Sequence, residues 1–202
     1  SNEGKMVEVR KVLRDLNVEI YSLSELDLNF NIEENGSTFE ENAFIKASKI
    51  SEITGEIVIA DDSGIEIDFL GKAPGVNSAR FLGEETPYHI KNRYILDRMI
   101  NARGEERSAR FVCAMVCIFP NGKILRSKGT LEGYIAYESK GDKGFGYDPI
   151  FYLPQFKCTT AQMTIEEKNK ISHRGKALRV MKKAIKDLYK NMENGKNESP
   201  NS

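Results

Sequence analysis

The sequence predicts an α/β fold, and three patterns lead to that prediction. Apolar residues recur at helical spacing near the start of the chain, at Met6, Val9 and Leu13, which is typical of an amphipathic helix. Extended apolar runs occupy residues 57–60 and 107–119 and indicate buried strands. The chain has 202 residues, 40% of them hydrophobic, and is therefore long enough to bury one substantial core without disulfides.

A capping box predicts where the first internal helix begins. Thr38 and Glu41 have the residue types and the spacing at which each side chain bonds the other residue's backbone N–H. We therefore expect a helix that starts at Thr38 and ends near Gly55. A further helix is expected over residues 89–102.

The same box recurs near the end of the chain, where Thr164 and Glu167 start a helical region that runs to about residue 192. Gly175 lies inside this region and favours a break or bend, because glycine weakens a helix interior. The residues that follow are polar, so a disordered tail is expected over residues 193–202. Since no repeat or linker interrupts the rest, residues 1–192 are predicted to form a single domain.

The centre of the chain predicts a hairpin. Residues 107–119 and 123–138 are extended runs joined by Pro120-Asn121-Gly122, and an Asn-Gly pair in this position is a strong hairpin signal. Both faces of residues 112–118 are apolar, so this strand is expected at the centre of a sheet. Residues 139–149 contain three glycines and are predicted to form a loop.

Two adjacent carboxylates, Asp61 and Asp62, follow the apolar run at residues 57–60. Because an alternating pattern resumes after Gly64, the sequence predicts a tight strand-to-strand turn that presents both carboxylates at the edge of a sheet. Two like charges side by side repel each other unless a cation offsets them, and a divalent metal ion is the usual partner. The pair is therefore a candidate metal site.

Charge is balanced overall and uneven locally. Thirty basic and thirty acidic residues cancel, which argues against the broad positive field of a general nucleic-acid binder. Acids exceed bases by eight over residues 33–68, and bases exceed acids by six over residues 164–186. These two segments suit a metal-bound polyanion such as a nucleotide phosphate. Two solvated helix faces are the alternative that charge counts leave open.

Cysteine usage and hydropathy predict a cytoplasmic protein without a membrane span. Cys113 and Cys117 lie in an apolar run, where they are expected to be small buried hydrophobic side chains rather than metal ligands or disulfide partners. No stretch approaches the about 18 apolar residues of a membrane span, and no signal peptide heads the printed sequence. A reducing cytoplasm fits both observations.

Three short segments have residues suited to holding a nucleotide. The turn from Asn2 to Lys5 precedes a helix and suits a phosphate, although similar turns start many ordinary surface helices. Residues 143–149 put two aromatic rings and a carboxylate in a glycine-rich loop, which suits either a purine or a turn whose rings fill the core. Arg174 offers a fixed fork of donors beside His173, and no second His or Cys nearby indicates zinc.

Taken in order, these segments resemble the Ham1 or inosine triphosphate pyrophosphatase family over about residues 2–178. Each motif is modest alone, whereas the ordered set is specific. The motifs that carry the resemblance are Asn2-Glu-Gly-Lys5 with Glu8, Thr38-Phe-Glu-Glu-Asn-Ala43 with Lys46, Ala60-Asp-Asp-Ser-Gly64, Gly71-Lys-Ala-Pro-Gly75, Ser78-Ala-Arg80, Phe145-Gly-Tyr-Asp148 and Glu167-Lys-Asn-Lys-Ile-Ser-His-Arg-Gly175.

The resemblance implies a fold and an activity. The family fold is an elongated mixed β-sheet flanked by helices, with two lobes, a central active-site cleft and a homodimeric assembly. The implied activity is the magnesium-dependent hydrolysis of non-standard purine nucleoside triphosphates (ITP, dITP, XTP) to the monophosphate and pyrophosphate. A nucleotide-binding protein with another substrate or with lost catalysis is the alternative. Since the family has a strand and a Ser/Thr ahead of the Asn2 position, we expect the working protein to carry residues before Ser1.

The resemblance also implies roles for individual residues. Asp62 is expected to act as the catalytic base or to orient the attacking water, and Glu34 and Asp62 are expected to bind Mg²⁺. Glu33 and Glu41 remain alternatives to Glu34, and the role of Asp61 stays open. The residues expected to contact the nucleotide are Asn2, Lys5, Lys46, Ser63, Phe145, Gly146, Tyr147, Asp148, Lys168, His173 and Arg174.

Overall fold

The computed structural model describes the backbone of residues 3–197 and the side chains of residues 5–191. The α-helices in this range are α1 (Glu3–Leu13), α2 (Phe39–Thr54), α3 (Tyr88–Arg98), α4 (Ile165–Ile171) and α5 (His173–Asn197). The strands are β1 (Val58–Ile67), β2 (Ser108–Ile118), β3 (Ile124–Ile135), β4 (Phe151–Leu153) and β5 (Cys158–Thr159). The predicted α/β fold is confirmed. None of the described helices is long and apolar enough to cross a membrane.

The five strands form one sheet in chain order, from β1 to β5. The resemblance implied a mixed sheet, whereas every pairing between the described strands is antiparallel. The predicted hairpin joins β2 to β3: the Gly122 N–H bonds the Phe119 carbonyl at 2.9 Å, and Gly122 has a φ of +79°, which favours glycine. The central position of β2, between β1 and β3, is also as predicted.

β2 is apolar on both faces because each face is covered by helices. Cys113, Met115 and Cys117 pack against α1 and α5, whereas Val116 and Ile118 pack against α2. The period of two expected of a strand is therefore visible in the core itself. Both cysteines are fully buried, as predicted, and this burial raises the pKa of their thiols to about 12.

Both predicted capping boxes are present. Thr38 accepts a hydrogen bond from the Glu41 N–H, and Glu41 accepts one from the Thr38 N–H; Thr164 and Glu167 repeat the arrangement. The break expected near Gly175 falls at Ser172, three residues earlier, where the backbone becomes extended between α4 and α5.

α5 then continues to Asn197, beyond the end expected near residue 192. The part of the predicted tail from 193 to 197 thus lies in a helix, and residues 198–202 lie outside the described range.

The predicted turn at Asp61 to Gly64 is wrong, because β1 runs straight through it. Asp61 pairs with Met115 of β2, and Asp62 pairs with Ala114. Gly64 serves close packing instead of a turn: a Cβ there would lie 2.3 Å from the Ser78 hydroxyl oxygen. Acidic and small residues favour a turn in isolation, whereas cross-strand hydrogen bonds hold these residues in an extended strand.

Candidate active site

Asp61 and Asp62 face opposite sides of the sheet, because side chains alternate along a strand. Asp61 lies on the side covered by α1 and α5, where it contacts Lys5 and Arg174. Asp62 lies on the side covered by α2, where it contacts Lys46. The two negative charges therefore have separate cationic partners, Lys46 on one face and Lys5 with Arg174 on the other, instead of the single cation expected to offset both.

On the α2 side, Glu34 and Asp62 meet at a single ammonium group. The Lys46 Nζ atom lies 3.2 Å from Glu34 Oε2 and 3.5 Å from Asp62 Oδ1. Glu41 is occupied elsewhere, since its carboxylate accepts from the backbone N–H groups of residues 37 and 38. Glu34 therefore lies near Asp62, whereas Glu41, one of the two alternatives to Glu34, caps the start of α2.

The donors on this side suit magnesium. Mg²⁺ prefers oxygen ligands and is usually held by one or two carboxylates, with phosphate oxygens and waters completing its shell. The carboxylates of Glu34 and Asp62 both contact the Lys46 ammonium group, so they already stabilise one positive charge between them. No group of three His, Cys, Asp or Glu side chains within the described residues forms a fuller cage. The set fits an ion that arrives with a phosphate ligand.

The environment of Asp62 makes it more basic than a carboxylate in water. Its exposed fraction is only 9%, and this burial raises its pKa. Lys46 and a hydrogen bond from Asn42 oppose the rise in pKa, and the nearby negative charge of Glu34 adds to it. A buried carboxylate with a raised pKa is better suited to accept a proton from water than an exposed one.

Asn42 is a component of the site that sequence reasoning missed. It is fully buried; its Nδ2 donates to Asp62 Oδ2 at 3.1 Å, and its Oδ1 accepts from the Gly36 N–H at 2.8 Å. It thereby ties β1 to the loop that carries Glu34. Asn42 precedes Lys46 by four residues on α2, and this spacing on one helix face is the signal that identifies it.

Replacing Asn42 by Ala is expected to lower kcat about 10- to 100-fold, the usual effect of removing a hydrogen-bond partner of a metal-binding carboxylate, which is the role expected of Asp62. The free energy of unfolding should fall by about 2 kcal/mol, because two buried polar groups lose a partner. Steady-state kinetics and urea denaturation measure the two effects. An unchanged kcat would show that the Asn42 hydrogen bond does not set the position of Asp62.

On the α1 and α5 side, two hydrogen-bond donors and one further cation surround a single oxygen of Asp61. Asp61 Oδ2 lies 3.2 Å from Lys5 Nζ, 3.2 Å from the Ser63 hydroxyl and 3.5 Å from Arg174 Nε. Burial favours a higher pKa for Asp61, but Lys5 and Arg174 outweigh it and lower the pKa to about 2. Asp61 is therefore ionised at neutral pH. Asn2, predicted to bind phosphate beside Lys5, lies outside the described residues.

The loop before β4 folds around the buried carboxylate of Asp148. Asp148 is 2% exposed; it accepts the Phe145 N–H at 2.8 Å and the Thr160 hydroxyl at 2.9 Å, and it is ion-paired with Lys168. Gly144 has a φ of +77°, and a Cβ there would lie 2.2 Å from Asp148 Oδ2. The loop glycine is therefore required by close approach to the carboxylate.

The two aromatic rings of this loop have different environments. Phe145 is 57% exposed, and Lys168 Nζ lies 5.0 Å from its ring centroid. Tyr147 is 4% exposed and donates a 2.7 Å hydrogen bond to a backbone carbonyl. Between them, the Gly146 carbonyl accepts from Asn92 at 3.1 Å. Phe145 is thus available for stacking on a ligand, whereas Tyr147 fills the core.

His173 opens α5 in a partly buried position. Its ring stacks on Phe111 with centroids 5.1 Å apart, and its Nδ1 has no hydrogen-bond partner among the described side chains and backbone. Burial lowers the pKa of His173 to about 3, and the charges of Arg174 and Lys168 add to the effect. His173 is therefore neutral at physiological pH.

The lowered pKa of His173 predicts acid sensitivity. The folded pKa of about 3 lies below the ordinary value of 6.5, so the unfolded chain binds the proton first and stability falls as the pH drops below 6.5. Between pH 6.5 and 5, the free energy of unfolding of the wild type should fall by about 1.5 kcal/mol more than that of His173→Gln. Urea denaturation at both pH values measures the difference; parallel curves would contradict a neutral, partly buried histidine.

Comparison with known proteins places this chain in one family. The model of the Ham1 family matches residues 1–184. A dITP/XTP pyrophosphatase of Clostridium perfringens is 42% identical over 196 residues, covering 94% of this chain and 96% of the relative. The structure of a HAM1 protein from Coxiella burnetii is 40% identical, with a TM-score of 0.86 and coverage of 93% and 95% of the two chains. The Staphylococcus aureus Ham1 protein also superposes with a TM-score of 0.86, at 37% identity over 93% of this chain and 96% of that one. This chain therefore belongs to the Ham1 family.

Proposed function

We propose that this chain is a nucleoside triphosphate pyrophosphohydrolase that hydrolyses dITP, ITP and XTP to the monophosphate and pyrophosphate with Mg²⁺. The observation that carries the proposal is the division of the site by β1, with carboxylates around Lys46 on one side and cations around Asp61 on the other. Such a pair of surfaces suits a metal-bound triphosphate. The relatives named dITP/XTP pyrophosphatase support the substrate class.

Asp62 is the proposed catalytic residue. Glu34 and Asp62 would hold Mg²⁺, which when bound offsets negative charge on the phosphate oxygens. Asp62 orients the water that attacks the α-phosphorus and takes its proton on a carboxylate oxygen. Asn42 keeps the Asp62 carboxylate in place through the bond to its Oδ2 atom.

The phosphate end of the nucleotide is assigned to groups on both faces of β1. Lys46 and Lys5 would neutralise the leaving pyrophosphate, because ammonium groups stabilise charge that develops on phosphate oxygens. Ser63 would donate its hydroxyl to a phosphate oxygen. Asn2 and the N-terminal turn of α1 would complete this end, since helix N-termini favour anions.

The base is assigned to the segments around α4 and α5. Phe145 offers an exposed ring for stacking, while Asp148 and Lys168 form a buried ion pair beside it. Arg174 and His173 would approach the 6-oxo edge of the purine, the acceptor that distinguishes inosine and xanthosine from adenosine. A 6-amino group would leave such donors unpaired, at a cost of about 1–3 kcal/mol.

A nucleotide panel tests this proposal. With Mg²⁺ present, pyrophosphate release from dITP and XTP should exceed release from dATP by about 10- to 100-fold in kcat/KM, as the cost of unpaired donors requires. Equal rates on all nucleotides would remove the base selectivity. Binding of dITP without any product would instead identify a nucleotide-binding protein without catalysis.

The assembly and compartment are proposed on the family resemblance. A homodimer is expected, and light scattering after gel filtration should give twice the monomer mass of 22.8 kDa. A monomer at micromolar concentration would contradict it. A cytoplasmic location suits both an enzyme that removes damaged nucleotides and the free, buried cysteines of β2.

A further inference from the structure

We propose that Asp61 is a positioning residue that holds the cations which contact the nucleotide and takes no part in metal binding. The inference rests on the proposed function, because Lys5 and Arg174 are nucleotide contacts only if the chain binds a nucleotide. It assigns a distinct task to each of two neighbouring carboxylates, Asp61 and Asp62.

The Asp61 side chain points to the opposite face of the sheet from Asp62. Asp61 pairs with Met115 in an unbroken antiparallel ladder, so it and Asp62 lie on opposite faces of the sheet. The face of Asp61 is closed by α1 and α5, and the face of Asp62 by α2. The Asp61 carboxylate therefore points away from the space between Glu34 and Asp62.

Side chains from three elements lie around one atom, Asp61 Oδ2. Lys5 of α1 and Ser63 of β1 each donate a hydrogen bond to it at 3.2 Å, and Arg174 of α5 forms an ion pair with it at 3.5 Å. Lys5 has a side chain that is 35% exposed, and this is its one ion pair among the described residues. Without Asp61, the ammonium loses the contact that fixes its direction.

Asp61 also orients Arg174, whose charge is buried. Its side chain is 9% exposed, and its Nε atom lacks a hydrogen-bond partner within the described part of the chain. Asp61 is the carboxylate that offsets this buried charge. A guanidinium recognises a planar partner through a fixed geometry of donors, so its orientation determines how well it binds a base. Asp61 thus supports the phosphate end through Lys5 and the base end through Arg174.

The test is Asp61→Asn, which keeps the shape of the side chain and removes its charge. The KM for dITP should rise about 10-fold, as loss of a hydrogen bond to a charged group implies. The kcat and the Mg²⁺ concentration for half-maximal rate should stay within about 3-fold of the wild type, because the opposite face of β1 is unchanged. Calorimetry in EDTA measures the binding of dIMP without metal. The affinity of Asp61→Asn for dIMP should be about 10-fold lower than that of the wild type.

Asp68→Asn is the matched control. Asp68 lies just past the end of β1 and pairs with Arg110 and Lys72, so the variant loses the same charge and comparable ion pairs away from the site. Its dIMP affinity should equal that of the wild type. If Asp61→Asn does not fold by circular dichroism, Asp61→Glu, which keeps the charge but displaces the carboxylate, should show the same loss of dIMP affinity.

Three results would overturn the assignment. A raised Mg²⁺ requirement, or a lower kcat at unchanged KM, would make Asp61 part of the metal face. Unchanged dIMP affinity in EDTA would remove any positioning role. Tighter dIMP binding would show that Asp61 only competes with phosphate for the cations. Failure of the wild type to release pyrophosphate from any nucleotide would contradict the proposed function instead, and the dIMP comparison would still decide the role of Asp61.

Discussion

Asp62→Asn is expected to reduce kcat on dITP about 1,000-fold, within the range for loss of a general base. The amide keeps the size of the side chain and its place beside Asn42 and Lys46. It cannot accept a proton from water, and it is a weaker metal ligand than a carboxylate. The fold should be kept, because burial already disfavours the charged form of Asp62.

Steady-state kinetics, with circular dichroism as a check of folding, measure this effect. Asp68→Asn serves again as the control, since Asp68 lies just past the end of β1 and pairs with Arg110. The kcat of this variant should match that of the wild type. A kcat for Asp62→Asn within 10-fold of the wild type would contradict the role of Asp62 as base. The catalytic role would then move to Glu34, the other carboxylate at Lys46.

Gly129→Ala is expected to have the largest effect on stability, lowering the free energy of unfolding by about 3 kcal/mol, the upper range for overpacking a core. A Cβ at Gly129 would lie 2.2 Å from the His173 carbonyl oxygen and 2.6 Å from the Ala177 backbone nitrogen. Both neighbours are backbone atoms of α5, which have to move away from β3. Because α5 begins with His173 and Arg174, the KM for dITP should rise as well.

Ser127→Ala is the control on the same strand. Ser127 is buried, and its hydroxyl has no hydrogen-bond partner within the described residues, so its removal should change the free energy of unfolding by less than about 0.5 kcal/mol or increase it. Thermal and urea denaturation of both variants measure the contrast. Equal stability of Gly129→Ala and the wild type would contradict the close packing of α5 on β3.

Features that depend on neighbouring residues could be predicted from the sequence. The boxes at Thr38 and Thr164 determined two helix starts because both partners lie within one turn. The Asn121-Gly122 pair identified the hairpin for the same reason. The ordered motifs identified the Ham1 family, which the family model confirms over residues 1–184.

Features that depend on distant contacts could not be predicted in this way. The residues from Asp61 to Gly64 favour turns in isolation, and only their pairing with β2 keeps them extended. The opposite directions of Asp61 and Asp62 follow from that pairing and were missed with it. The contact of Arg80 with the Glu34 loop was missed because it is made to a backbone carbonyl, whose position the sequence does not indicate.

Oxygen labelling tests directly whether water attacks the α-phosphorus. Hydrolysis of dITP in ¹⁸O-enriched water with Mg²⁺ should place one ¹⁸O atom in dIMP and none in pyrophosphate, as mass spectrometry of both products shows. Label in pyrophosphate would indicate attack at the β-phosphorus. Release of labelled orthophosphate with dIDP would indicate a different hydrolase and contradict the account.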